Sequence, residues 1–179
     1  MFKKLAGIAA SAVLAISIVG CGSQGQDFSE SSSQEPSIAN SNVSVEVEKS
    51  EISELSNSTW CKGYMDEVKL YADEAVGFAE KGDRKFFDNM ARNFRVYSNS
   101  SPSYDGNSNR VKRVYELMGR SAECMANAAD AMSMHVDGMN HGLEKDAIEV
   151  MNVANEYNSM SSDALKEAAE IMNDIRSES

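Results

Sequence analysis

Basic residues are scarce in this sequence: 17 lysines and arginines stand against 28 aspartates and glutamates, and the formal net charge is −11. A chain this acidic is repelled by phosphate backbones and by anionic lipid headgroups, so we expect no nucleic-acid partner. The simplest explanation for so many carboxylates is that they keep the protein surface solvated. The alternative is that they attract a cationic ligand or partner.

Recognisable catalytic motifs are missing as well. The sequence contains no glycine-rich phosphate loop, no nucleophile elbow and no helical His-Glu-x-x-His. Its carboxylates recur at the helical spacing that suits solvated faces. We therefore expect a protein that is not an enzyme and that has no cofactor.

Long apolar runs are missing except for one near the start of the chain. A short positive segment, Met1–Lys4, precedes an apolar stretch from Leu5 to Val19. This stretch is within the range of a signal peptide and is shorter than the roughly 20 residues that a membrane span needs. It ends in Ile18-Val19-Gly20-Cys21, which resembles the lipobox of bacterial lipoprotein precursors.

That resemblance implies a processing route and a cellular location. Residues 1–20 would be the signal peptide, and Cys21 would receive a diacylglyceryl thioether and become the first residue of the mature chain. Two or three acyl chains anchor a protein far more strongly than one. Because residue 22 is Gly rather than Asp, the implied location is the outer membrane of a Gram-negative cell or the outer face of a Gram-positive cell membrane. The alternative is an ordinary secretory signal with a chance cysteine at the cleavage point.

Residues 21–50 are predicted to form the lipidated cysteine and a flexible tether. Nine serines occur between residues 22 and 50, with too few apolar residues to offset the entropy cost of ordering. Val43, Val45 and Val47 alternate with polar residues, a weak strand pattern that could not fold alone. We expect this segment to be unstructured.

Residues 51–179 are predicted to form one all-α domain. Apolar residues recur in steps of three and four in four stretches: Cys61–Phe78, Phe87–Tyr97, Val111–Met139 and Leu143–Ile175. Gly82-Asp83 marks a helix end followed by a new N-cap. Both prolines lie outside the predicted helices, and Ser98–Asn109 is a break.

Four helices with short links predict an antiparallel bundle of about four helices behind the tether. The alternative has three main helices, with the segment Phe86–Tyr97 lying across one end. The last two helices are rich in alanine and methionine, which favours close packing between them. We expect the aromatic residues of the first two helices to form core.

Two cysteines remain beside Cys21. Outside the cytoplasm, Cys61 and Cys124 favour a disulfide. The alternative is two buried free thiols, because a short second helix would leave Cys124 well above Cys61. The break at Ser98–Asn109 would have to run back along the bundle to bring them level.

Methionine is abundant, and its simplest role here is flexible core filler. A cluster near one turn suggests a second possibility, since thioethers and imidazoles suit Cu(I). We predict no metal site; the candidates for a copper site would be Met132, His135, Met139 and His141.

These features predict a lipid-anchored, non-enzymatic protein whose helical bundle binds or spaces a partner in the cell envelope. The alternative function is an extracytoplasmic copper-binding protein.

Overall fold

The computed structural model describes residues 43–178, and the predicted signal peptide, Cys21 and the predicted tether up to residue 42 lie outside them. The described residues form five α-helices: α1 (Val45–Asn57), α2 (Thr59–Glu80), α3 (Arg84–Asn99), α4 (Asn109–Asn140) and α5 (Glu144–Ser177). None of residues 43–178 belongs to a β-strand. The predicted all-α bundle is confirmed, with one helix more than expected.

Side-chain caps and two glycines determine where the helices begin and end. Ser58, Asp83 and Ser108 each accept a hydrogen bond from the backbone N–H three residues later, which satisfies an otherwise unpaired donor in the first turn. Gly82 and Gly142 have φ angles of 68° and 75° in the turns after α2 and α4. These left-handed conformations favour glycine at both places.

Helix α1 corrects the expected start of the folded region. Residues 45–50 were expected to be tether, but they are helical and Glu48 is buried. The spacing of Glu48, Ile52 and Leu55, which face the core, is helical rather than strand-like. The alternating valines were misleading, because Val45 and Val47 belong to a helix in which a buried glutamate occupies a core position.

Helix α3 runs antiparallel to α4 along its length. Arg84 pairs with Asp137 at 2.9 Å, Ser133 donates to Asp88 at 2.5 Å, and Arg95 pairs with Asp130. Successive residues of α3 thus contact successively earlier residues of α4. The alternative in which Phe86–Tyr97 lies across one end of the bundle is therefore wrong.

Helices α4 and α5 form a closely packed hairpin. A Cβ built on Gly138 would lie 3.1 Å from Cβ of Ala147, so the backbones approach closely there. The polar run Ser161-Ser162-Asp163 does not interrupt α5. The close packing expected from the small residues is confirmed.

Aromatic rings fill the layer between α2 and α3. Tyr64, Tyr71, Phe87 and Phe94 are fully buried, and their rings meet edge-on at centroid distances of 5.8 to 6.3 Å. Trp60 donates from Nε1 to the carbonyl of Tyr97 at 3.0 Å. The prediction of an aromatic core is confirmed for these four buried residues, and Trp60, Phe78 and Phe86 pack against that core while partly buried.

The bundle has two distinct ends. At the base, α1 and α4 begin and α5 ends, and Lys49 donates to the carbonyl of Glu178 at 2.7 Å. At the distal end, Asn140 donates to the carbonyl of Gly82 at 3.0 Å and joins the α2–α3 and α4–α5 turns. The segment 100–108 returns from the end of α3 to the base, because Tyr104 donates to Glu51 at 2.8 Å.

Candidate functional site

An ion cluster fastens α1 at the base. The carboxylate of Glu48, only 2% exposed, accepts hydrogen bonds from Arg110 and from the hydroxyl of Ser108. Arg110 also donates to Glu178. The hydrogen bonds to Glu178 and Glu48 raise the pKa of Arg110, and the same guanidinium lowers the pKa of Glu178.

A chain of hydroxyls crosses the middle of the core. Tyr64 Oη lies 2.6 Å from Ser121 Oγ, and Ser121 Oγ lies 2.7 Å from Ser161 Oγ. All three residues are buried, so α2, α4 and α5 are linked by satisfied polar contacts. Burial raises the pKa of Tyr64 far more than these hydrogen bonds lower it.

A second polar pair in the core is less well satisfied. Tyr71 and Asn158 are both buried, and within residues 43–178 neither Tyr71 Oη nor the side-chain amide of Asn158 makes a hydrogen bond of good geometry. Burial raises the pKa of Tyr71, and the nearby side chain of Asn158 acts in the opposite direction without cancelling that effect.

Cys61 and Cys124 are free, buried thiols in the structure. Trp60 and Gly63 both contact Tyr97 of α3, which puts Cys61 level with Tyr97. Asp88 is opposite Ser133, and Ser101 is opposite Gly119, so Tyr97 is in turn level with Cys124.

The difference in height between Cys61 and Cys124, which was the argument against a disulfide, is therefore not present. The segment 100–108 runs back along α4 and brings the two cysteines to one height. Burial raises the pKa of both thiols. The disulfide itself stays a prediction.

Two of the four copper candidates line one cavity at the distal end. His135 and Met139 are among the residues around a space of about 210 Å³ beside Gly82 and Asn140. Nδ1 of His135 lies 2.8 Å from the carbonyl of Ala147, and because a carbonyl oxygen only accepts, Nδ1 is the donor in this contact. Metal-binding histidines are oriented in this way.

The other two candidates lie elsewhere. Met132 is buried in the core, and exposed His141 bonds through Nδ1 to the carbonyl of Asp137 at 2.8 Å. Across residues 43–178 no group of three or more histidine, cysteine or acidic side chains could hold a metal ion. The structure therefore brings together two of the four candidates, His135 and Met139.

Comparison of the chain with protein-family models, with curated proteins and with solved structures finds no match. In the described part of the chain, no helix has both the length and the apolar character needed to cross a membrane.

Proposed function

We propose that this chain is a lipid-anchored protein of the bacterial cell envelope whose helical bundle binds or spaces a partner there. Cleavage before Cys21 and lipidation of its thiol would attach the mature chain to the outer membrane or to the outer face of the cell membrane. The basis for the anchor is the sequence Ile18–Cys21 behind a short apolar stretch.

One structural observation supports the idea that an anchor at the base would leave the distal end of the bundle accessible. The chain enters the described domain at the base, where Glu48 and Arg110 fasten α1. Helix α4 has 32 residues, so the distal end lies about 48 Å from the base. A tether attached before α1 would leave that end and the sides of the α4–α5 hairpin free for a partner.

Labelling with palmitate tests the anchor. Cys21→Ser should abolish incorporation of the fatty acid and leave the signal peptide uncut by the lipoprotein peptidase. Cys61→Ser and Cys124→Ser are the matched controls and should be labelled as the wild type is. Equal labelling of Cys21→Ser and wild type would reject the lipid anchor.

A second candidate function is extracytoplasmic copper binding, and the observation in its favour is the shared cavity of His135 and Met139. Two ligands are few for a tight site, and Met132 is committed to the core. The leading proposal predicts that Cu(I), titrated under a competing chelator, finds no stoichiometric site. One tight equivalent that is lost in His135→Ala would favour the copper function instead.

A further inference from the structure

Helix α5 has an apolar stripe on its outer surface in addition to the one that faces the core. Val150, Val153, Tyr157 and Met160 follow one another in steps of three and four, which places them on one face of the helix. Val153 is 43% exposed and Met160 is 39% exposed. In these four residues, the outer stripe, Val153 and Met160 are exposed, whereas Val150 and Tyr157 are partly buried and Val150 also packs against the core.

The outer stripe follows the groove between α4 and α5. Arg113 of α4 pairs with Glu167 of α5 at 2.8 Å near its lower end. At the distal end, Met134 and Val150 line a cavity of about 220 Å³ together with Leu143. Met134 is 61% exposed, so this cavity is open to an apolar side chain from outside.

One border of the groove has uncompensated negative charge. Glu149, Glu156 and Asp163 repeat every seven residues on the exposed surface of α5, which puts them in a row beside the stripe. Within the described residues, none of these three carboxylates belongs to an ion pair.

Two carboxylates of α4 differ from those of α5 because they belong to ion pairs. Asp130 and Asp137 are paired with Arg95 and Arg84 of α3. The negative potential of the groove therefore comes mainly from α5, and a cationic partner would meet it on that side.

We infer that this groove is a docking site for an amphipathic helix of a partner protein, with apolar residues on the outer stripe and lysine or arginine beside the α5 carboxylates. This inference rests on the proposed function, because it specifies the partner that the anchored bundle would bind. Helix-in-groove recognition uses apolar anchors at such spacing, and opposite charges beside them select the partner.

The same charges disfavour two other occupants. A second copy docked through this face would set one row of carboxylates against another, and like charges in contact repel. An anionic membrane surface would be repelled as well. From Leu143 to Met160 the groove is about 26 Å long, which matches a helix of about 18 residues.

The test uses the mature chain with Cys21→Ser and a fluorescent peptide of about 18 residues, with leucine at the 3-4 positions and lysine beside them. We expect saturable binding by fluorescence anisotropy, and a matched peptide with glutamate in place of lysine should not bind. Reversing Glu149, Glu156 and Asp163 to lysine should weaken binding at least about tenfold. Val153→Lys with Met160→Lys should do the same.

Matched controls lie on α2. Asp66, Asp73 and Glu80 have the same spacing of seven and are exposed, so their reversal to lysine changes the net charge equally on another face. Leu70→Lys is the control for an exposed apolar residue. Both controls should retain wild-type affinity, and circular dichroism should show that every variant is folded.

Besides failure of the peptide to bind, three results would overturn the inference. They are equal weakening by the α2 and α5 reversals, a dimer in sedimentation that Val153→Lys dissociates, and binding to phosphatidylglycerol vesicles that Met160→Lys abolishes. Palmitate labelling is independent of all three. Failure of the peptide to bind the Cys21→Ser chain, while wild-type Cys21 is labelled, would reject the docking site alone, whereas absence of labelling in the wild type would reject the anchor alone.

Discussion

Tyr64 and Tyr71 lie two turns apart on the inner face of α2, yet their hydroxyls differ in what they contact. The hydroxyl of Tyr64 lies 2.6 Å from Ser121 Oγ. The hydroxyl of Tyr71 is buried without a well-formed hydrogen bond in the described chain. A buried hydroxyl stabilises a fold only where its lost hydration is replaced.

The two Tyr→Phe substitutions should therefore differ in their effect on the free energy of unfolding. Tyr64→Phe should lower it by about 1 kcal/mol, because one satisfied buried hydrogen bond is lost. Tyr71→Phe should leave it within about 0.5 kcal/mol of wild type or raise it, because an unsatisfied polar atom is removed. Urea denaturation measures both. A larger loss for Tyr71→Phe than for Tyr64→Phe would contradict this assignment.

The buried thiols and phenols predict instability at alkaline pH. Burial raises the pKa of Cys61 and Cys124 above the ordinary value of 9.0, and it raises the pKa of Tyr64 and Tyr71 above 10.0. Each group stays protonated in the folded chain at a pH where the unfolded chain has lost its proton. The stabilisation is therefore complete below about pH 9 and is lost as pH rises toward the folded-state pKa values.

Chemical unfolding of the reduced protein at several pH values checks this expectation. The free energy of unfolding should fall by up to about 1.4 kcal/mol per pH unit for each group that ionises only on unfolding. The variant Cys61→Ala with Cys124→Ala should lose less stability between pH 9 and pH 10 than wild type. A flat profile up to pH 11 would show that these groups ionise equally in both states.

The equal height of Cys61 and Cys124 leads to a separate prediction about oxidation. Protein purified from an oxidising compartment and then denatured should contain no titratable thiol at these two positions, because an oxidising environment outside the cytoplasm favours a disulfide between two cysteines at the same height. Reduction should return both thiols. Two free thiols before reduction would reject the bridge.

Helix α1 shows which parts of the fold were open to prediction from sequence and which were not. The long helices α4 and α5 have unbroken apolar stripes and were predicted nearly to their ends. In α1 only Ile52 and Leu55 are apolar and buried, and the third core position is Glu48. The burial of Glu48 depends on Arg110, which is 62 residues away, and periodicity cannot detect such a partner.

The docking of α1 gives a prediction for Arg110. Arg110→Met should lower the free energy of unfolding by about 3 kcal/mol, because it leaves the carboxylate of Glu48 buried without its countercharge. Arg95→Met is the matched control: Arg95 and Asp130 are both well exposed, and such pairs contribute about 1 kcal/mol or less. Equal losses in the two variants would show that Glu48 does not depend on Arg110.

At the scale of the whole molecule, the sequence indicated which residue types could bind copper but not which of them the fold brings together. Met132, His135 and Met139 share a helix face, as their spacing predicted, but burial separates Met132 from the cavity that His135 and Met139 line. The hydroxyl chain from Tyr64 to Ser161 was not predicted, because serines at core positions look like small spacers until three helices are assembled. The outer stripe was not predicted for a related reason: its residues belong to a helix whose core-facing stripe also recurs in steps of three and four residues.

The last prediction concerns where the folded molecule begins. Residues 43–179 contain all of α1, whereas residues 51–179 lack Glu48 and the first half of that helix. Both chains should be soluble and strongly helical by circular dichroism, because the stripes of α2 to α5 bury one another without the tether.

Their thermal stability should differ. The shorter chain should unfold at a temperature about 10 °C lower, since it loses a contribution of about 3 kcal/mol at the base and each kcal/mol shifts the midpoint of a domain of this size by about 3 to 4 °C. A chain that begins at residue 22 is the control and should unfold at the same temperature as 43–179. If 51–179 were as stable as 43–179, the first half of α1 would add nothing to the fold, and the domain would begin at residue 51, as predicted from the sequence.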